Sequence, residues 1–462
     1  MTTATEDRTD LRRVISRPML TFFVLGDILG AGIYSLTGEV GADSGGAIWA
    51  AFLVAFGLAF LTGFAYLELV TKYPRAAGAA LYVDKAFGVA LVSFLVTFAV
   101  MASGVTSASF AASRIGGRYF TGLTGVEDPP MVLIAIVAIL VVAAVNLWGV
   151  AESMKANIVL TAIELAGLLF IIGVGAVVLA GGDGDPGQAF QFKGTGFGVV
   201  SGLFAGAATA FYAFLGFEDS VNLAEETKEP SRTFPPALIT GMVLAAVVYL
   251  LVAFTAAMTV PLDTLVKSSG PLLEVVKAGA PDLGAGRIFS AVSMVAVSNT
   301  MLINMLMASR LLYGMAQRDV LPRAFTRLTP RHTPWVAVAV TTALAVVLLV
   351  AVDDLTDLSD TTVLLLTAVF LMVNMSALVL RRDRVEHDHF RAPVWVPVLG
   401  AIVSAVFLLP LDRPGSIYLL ALWLLLGGLA LWVVNWLVMR RSGGDPDPPA
   451  AERGAEMRDN AA

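Results

Sequence analysis

The chain has 462 residues, of which 57% are hydrophobic and 14% charged, with a formal net charge of −6. Soluble domains carry about 25% charged residues, and a soluble chain this long divides into domains joined by polar linkers; here long apolar blocks are separated by short polar pieces. No basic face for nucleic acid stands out, and the absence of cysteine excludes disulfides, thiol nucleophiles and cysteine metal sites.

Residues 1–17 are polar and read as an N-terminal cytoplasmic segment. The apolar block that follows runs into a glycine-rich helix without a small-residue cleavage site, so no cleaved signal is expected. Blocks of about 20 apolar residues match the thickness of a bilayer core. They predict spans at 19–41, 46–70, 88–113, 131–149, 156–180, 198–224, 236–260, 286–314, 334–352, 361–381, 393–411 and 416–439. A tail over 441–462, rich in Pro, Gly, Asp, Glu and Arg, is expected to be disordered. The class is therefore all-α integral membrane, with twelve transmembrane helices in a lipid bilayer. Twelve spans place both ends on one side, and about 23 of the Lys and Arg residues fall there. The other side keeps seven: Arg114, Arg118, Lys193, Lys267, Lys277, Arg287 and Arg413. The positive-inside bias predicts cytoplasmic termini in the cell (inner) membrane.

Two spans are poorly built for crossing. The first contains Gly26-Asp27-Ile28-Leu29-Gly30-Ala31-Gly32-Ile33-Tyr34, and the sixth contains Phe211-Tyr212-Ala213-Phe214-Leu215-Gly216-Phe217-Glu218-Asp219-Ser220. Glycine weakens a helix interior by about 1 kcal/mol, and a carboxylate at membrane depth costs more. Irregular backbone survives there only where it is buried or lines a cavity. The first span opens one group of five and the sixth opens a second; interrupted helices at matching positions mark a midplane site in inverted-repeat transporters. Freed N–H groups at Gly30, Ala31 and Gly32, aided by a half-helix dipole, can hold a carboxylate. Freed carbonyls near 214–217 can hold an ammonium or a cation. Together they suit an α-amino acid. The competing reading is close helix packing, which the Gly26/Gly30 spacing also fits.

Four stretches in order resemble the amino acid/polyamine/organocation superfamily. They are Gly30-Ala31-Gly32-Ile33-Tyr34; Glu68-Leu69 with Tyr73-Pro74-Arg75 and the following residues to Tyr82; Gly216-Phe217-Glu218 with Glu225-Glu226-Thr227-Lys228-Glu229-Pro230; and Ser309-Arg310-Leu311-Leu312-Tyr313-Gly314 through Pro322. Together they are specific, and they cover about 18–440. The segment Thr37-Gly38-Glu39-Val40 leans toward the cationic amino acid transporter branch. The resemblance implies a LeuT-type fold with a 5+5 inverted repeat over about 18–181 and 197–382, broken helices 1 and 6, and peripheral helices 11 and 12 over about 392–440. It also implies alternating access, with substrate between helices 1 and 6. The substrate-binding candidates are Ile28, Gly30, Ala31, Gly32, Phe214, Phe217 and Glu218.

Asp27, Glu164, Asp219, Ser298 and Asn299 are the candidates for coupling or gating. Asp27 is either a site carboxylate or a structural acid, since intramembrane acids are functional by default. Glu164 stands near where the resemblance implies a Lys in proton-coupled members. A buried carboxyl can be neutral in one state and charged in another, or it can simply bond a neighbouring helix. Glu218 and Asp219 point about 100° apart on a regular helix. Ser298, Asn299 and Thr300 can assist sodium binding or bond between helices. Glu225, Glu226, Lys228 and Arg232 read as gate or loop charges, with Arg310 pairing to one of them or lying at the interface. His332, His387 and His389 lie in loops and suggest no metal centre.

The expected function is secondary active transport of an amino acid, cationic or neutral, driven by protons (or sodium) or by exchange, with no other cofactor. A polyamine or organocation carrier is the alternative. A channel would need a continuous polar pore or filter, and a sensor would need a signalling domain. No nucleophile elbow or phosphate loop suggests an enzyme.

Overall fold

In hydrocarbon every backbone N–H must find its partner within the protein; a helix supplies it within one segment, and long runs of Leu, Val, Ala and Phe here wind into helices. A computed structural model describes residues 13, 15–75, 78–281, 284–317, 321–409 and 414–441. The expected tail beyond Arg441 and most of the N-terminal segment lie outside the described residues. In chain order the helices are α1 (Arg17–Ile28), α2 (Ala31–Ser44), α3 (Ile48–Lys72), α4 (Gly78–Phe87), α5 (Ala90–Arg114), α6 (Phe120–Thr124), α7 (Met131–Trp148), α8 (Val150–Gly181) and α9 (Phe197–Phe211). There follow α10 (Pro230–Thr259), α11 (Leu262–Lys267), α12 (Pro271–Gly279), α13 (Ala285–Gln317), α14 (Trp335–Ala351), α15 (Thr356–Val379), α16 (Trp395–Phe407) and α17 (Gly415–Arg441).

Among the described residues, nine helical stretches are long and apolar enough to cross a membrane, and α1 with α2 makes a tenth if the bent pair is one span. This is an all-helical, multi-pass membrane protein. The spans expected at 334–352 and 393–411 appear as the shorter apolar helices α14 and α16. Each starts just after a proline, Pro334 or Pro393, which lacks the N–H a helix interior needs. The loops hold helices that hydropathy does not announce, α4, α11 and α12. A π-helical turn over Ile115–Tyr119, with Gly117 non-helical, carries α5 into α6.

Packing divides the bundle. α1 packs on α10, α2 on α9, and α3 on both α9 and α10. On the other side α5 packs on α13, α14 and α15. Near the ends of α3 and α15 lies a buried ion pair: Arg381 Nε and Nη2 donate to the two Glu68 carboxyl oxygens at 2.9 and 2.6 Å. Ala392 adds its N–H to Glu68 and its carbonyl to Arg381. Lys72 Nζ donates to the carbonyls of Leu380 and Asp383 at 2.5 Å each, and the Tyr73 hydroxyl donates to the Asp383 carboxylate. Burial and that carboxylate hold the Tyr73 phenol well above its ordinary range, so it stays a donor at physiological pH.

Candidate functional site

The chain is interrupted in both places where glycine and acid interrupt an apolar run. α1 stops at Ile28; Leu29 turns to ψ 88° and Gly30 is extended. α2 then resumes at Ala31, bent from α1 by about 40°. The second break follows α9. One 3₁₀ turn covers Tyr212–Phe214, Leu215 is extended, and a 3₁₀ segment runs over Phe217–Leu223. Between them Gly216 takes φ 119°, a conformation glycine adopts without steric cost.

The two breaks touch. A Cβ on Gly32 would lie 2.4 Å from the Ala213 Cα, and one on Gly216 would lie 2.8 Å from the Asp27 carbonyl oxygen. Gly26 and Gly30 meet Thr161 and Thr300 just as closely, so close packing is also part of their role.

Between the breaks is a cavity of about 30 Å³. Asp27, Ile28, Gly30, Ala31 and Gly32 line it from the first break, and Tyr212, Leu215, Gly216, Glu218 and Asp219 from the second. Ser107 of α5, Thr300 and Asn304 of α13, and Thr362 and Leu366 of α15 complete the wall. A water needs about 10–15 Å³ by this measure, so the space holds about two waters and no amino acid. Admitting one requires a wall to move.

Among the described residues no Lys or Arg lines this cavity, yet three buried acids do. Asp27 Oδ2 is buried without a hydrogen-bond partner. Glu218 Oε2 accepts the Gly216 N–H at 2.9 Å. Asp219 and Glu218 both lie in the field of Asp27 and of each other. Such a cluster is satisfied by protons or by a cationic guest.

The main-chain donors at the start of α2 are partly engaged. The Ala31 N–H donates to Thr300 Oγ1 at 2.9 Å. The Gly30 N–H is turned to the Tyr249 hydroxyl, which itself donates to the Ile28 carbonyl at 2.5 Å. The expectation of three open N–H groups is corrected: those of Gly30 and Ala31 already have protein partners.

Phe214 and Phe217 do not line the cavity. Phe214 packs on Phe52, Phe56 and Tyr249, and Phe217 packs on Tyr66 and Phe370. The extended Leu215 and the left-handed Gly216 reorient the chain, so Leu215 faces the cavity while both rings enter the core.

Glu164, Asn299 and Ser298 also stand apart from the cavity lining. Glu164 is fully buried, and neither carboxyl oxygen has a properly formed hydrogen bond. The Asn299 amide lies beside it. Asn299 Nδ2 donates to the Gly26 carbonyl at 3.4 Å, and its Oδ1 accepts from Asn157 at 3.3 Å. This node ties α1, α8 and α13 together one residue from Asp27. Ser298 instead donates to Met294 within its own helix at 2.6 Å. Arg310 is half-buried, with Glu226 as its neighbouring carboxylate.

Sequence reasoning missed Ser107, Asn304, Thr362 and Leu366 as lining residues, and among the helix 6 aromatics it weighted Phe214 and Phe217 over Tyr212. The Ser103-to-Ser109 run, with four hydroxyl residues in an apolar span, was the available signal for α5.

A family profile described as "Amino acid permease" matches residues 15–438. The branched-chain amino acid permease BcaP of Bacillus subtilis is 25% identical over 92% of this chain and 93% of its own length. Cationic amino acid transporter 4 of Mus musculus is 31% identical over 75% of this chain but only 56% of its own length. A methylthioribose transporter of Bacillus subtilis is 26% identical over 92% of this chain and 94% of its own length.

Proposed function

This chain belongs to the amino acid permease family, and from that premise we propose that it carries cationic amino acids across the cell membrane by alternating access, driven by protons. The observation that carries the substrate class is the group Asp27, Glu218 and Asp219 around a cavity without Lys or Arg among its lining residues. A guest whose ammonium or guanidinium enters that field replaces repulsion with charge-assisted hydrogen bonds. The α2 N-terminus then takes its carboxylate as Thr300 and Tyr249 release the Ala31 and Gly30 N–H groups.

Alternating access draws support from the contracted cavity and from the packing. Counting α1–α2 and α9 with its 3₁₀ segment as single spans, and α14 and α16 as crossings, gives twelve. The second span (α3) then packs on the seventh (α10), and the third (α5) on the eighth (α13). Partners five apart are what a 5+5 inverted repeat produces. The same count places both termini in the cytoplasm by the positive-inside bias. For coupling, Glu164 is the buried carboxyl in the right setting: without a well-formed hydrogen bond, beside the Asn299 amide, and on the helix α8 that packs against α1.

A neutral substrate is the second reading, favoured by the branched-chain relative that aligns over nearly its whole length; the cavity acids would then carry protons. Uptake into proteoliposomes across a panel of cationic and neutral amino acids and polyamines, with proton and sodium gradients imposed separately, tests both. Proton-driven uptake of lysine and arginine ahead of leucine is expected. Leucine uptake with no lysine uptake would establish the second reading.

A further inference from the structure

α2 and α5 leave the cavity toward the same end of the molecule. Gly32 and Ser107 line the cavity, and seven residues further along each helix stand Glu39 and Arg114, about 10 Å on at 1.5 Å per residue. There they meet: Arg114 Nη2 donates to Glu39 Oε1 at 3.0 Å. Ser107, Phe110 and Arg114 share one face of α5 by their spacing. The Arg114 guanidinium lies over the Phe110 ring, 4.6 Å from its centroid. Phe110 stands edge-on to Tyr212 at 5.2 Å, and the Tyr212 hydroxyl shares a 2.8 Å hydrogen bond with Ser107. The Tyr119 hydroxyl adds a bond to the Tyr34 carbonyl at 2.8 Å. These layers join α5 to α2 and to the second break, so they cap the cavity on that side.

The ion pair is fastened by one contact. Glu39 Oε2 and Arg114 Nε are both buried without a partner, and Asp43 and Asp354 also act on Glu39. The Glu68–Arg381 pair, by contrast, has two mutual hydrogen bonds and a backbone clamp. A doubly bonded, clamped pair is a strut even with Arg381 Nη1 unmet; a pair joined by one hydrogen bond, with the Glu39 side chain about a third exposed, has less to lose when it parts.

We infer that Glu39 and Arg114, stacked on Phe110 and Tyr212, form a gate that closes the cavity on the side away from the chain termini and must open to admit substrate. The inference rests on the alternating-access reading. Glu39 and Arg114 are positioning residues, since neither lines the cavity.

The chain has no cysteine, so Leu366→Cys places a single thiol in the cavity wall. Its reaction with a membrane-impermeant thiol reagent, added from the gate side to vesicles of known protein orientation, is measured alone, with lysine and with leucine. Glu39→Gln and Arg114→Gln are each expected to speed labelling about fivefold or more by raising the open fraction. The double exchange Glu39→Arg with Arg114→Glu is expected to restore the slow rate, which a merely destabilised protein would not do. Unchanged rates in both single variants, with labelling still sensitive to an amino acid, would overturn the gate and leave the carrier reading intact. Labelling insensitive to both amino acids from either side, in every variant, would overturn the carrier reading and the gate with it.

Discussion

Asp27, Glu218 and Asp219 crowd their carboxyls around a space for about two waters, and each does a different job. Glu218 caps the Gly216 N–H, Asp219 closes the first 3₁₀ turn with its own N–H on the Gly216 carbonyl, and Asp27 keeps one buried oxygen unmet. Asp27 therefore keeps an unmet lone pair that a guest's cation would satisfy. Asp27→Asn keeps the shape and removes the charge; a charged hydrogen bond is worth about 1.5–3 kcal/mol. Its expected effect is a rise of about tenfold or more in the KM for lysine, with the KM for neutral amino acids moved far less, read by competition uptake. Glu164 does not line the cavity, so a different readout tests it. Glu164→Gln is expected to leave counterflow exchange intact while abolishing accumulation driven by a proton gradient; a variant that still concentrates lysine on that gradient would remove Glu164 from the coupling role. The intramembrane acids were legible because a carboxylate inside an apolar run is costly wherever it sits. The roles of Phe214 and Phe217 were not: in irregular backbone no period of 3.6 or 2 says which way a ring points, and two unusual residues, Leu215 and Gly216, decide it.

The two breaks are held in mutual contact by glycine. Gly216 combines φ 119° with the Asp27 carbonyl 2.8 Å from where its Cβ would be, so Gly216→Ala is strained by conformation and by collision together. A left-handed conformation alone costs a non-glycine residue about 1–2 kcal/mol. We expect Gly216→Ala to cut lysine uptake more than tenfold while the protein still inserts and purifies, because the break is displaced rather than the bundle unfolded; near-normal uptake would mean the close approach is not needed for transport. The breaks themselves were readable, since glycine and acid in matched spans contradict a continuous helix. The hydroxyls of Thr300 and Tyr249 that occupy the α2 start were not assignable, because which neighbour reaches a helix end depends on three-dimensional packing. Similarly α4, α11 and α12 are 6–10 residues long with charges inside them, too short for a spanning-length apolar run to mark, and α14 and α16 fall just short of the expected spans.

Across the whole molecule, one body built on α1, α2, α3, α9 and α10 faces another built on α5, α13, α14 and α15. The Glu68–Arg381 pair fastens α3 to the end of α15. Removing one partner of a buried pair typically costs about 3–5 kcal/mol, so Glu68→Ala is expected to lower the thermal midpoint of the purified protein clearly, whereas Glu39→Gln at the singly bonded pair is expected to change it little. Equal losses in the two would contradict the distinction between strut and gate. Long spans, their order and the family were legible from apolar length and four ordered motifs; which helices pair across the bundle was not, because lipid-facing and buried apolar faces use the same residues. The central claim is that the cavity at the two breaks holds the amino acid, with Asp27 facing its positive charge. Equilibrium binding of radiolabelled lysine to the purified protein tests it most directly. Saturable binding that Asp27→Asn weakens about tenfold with the thermal midpoint preserved is the predicted result; lysine binding of unchanged affinity in Asp27→Asn and in Glu218→Gln would contradict it.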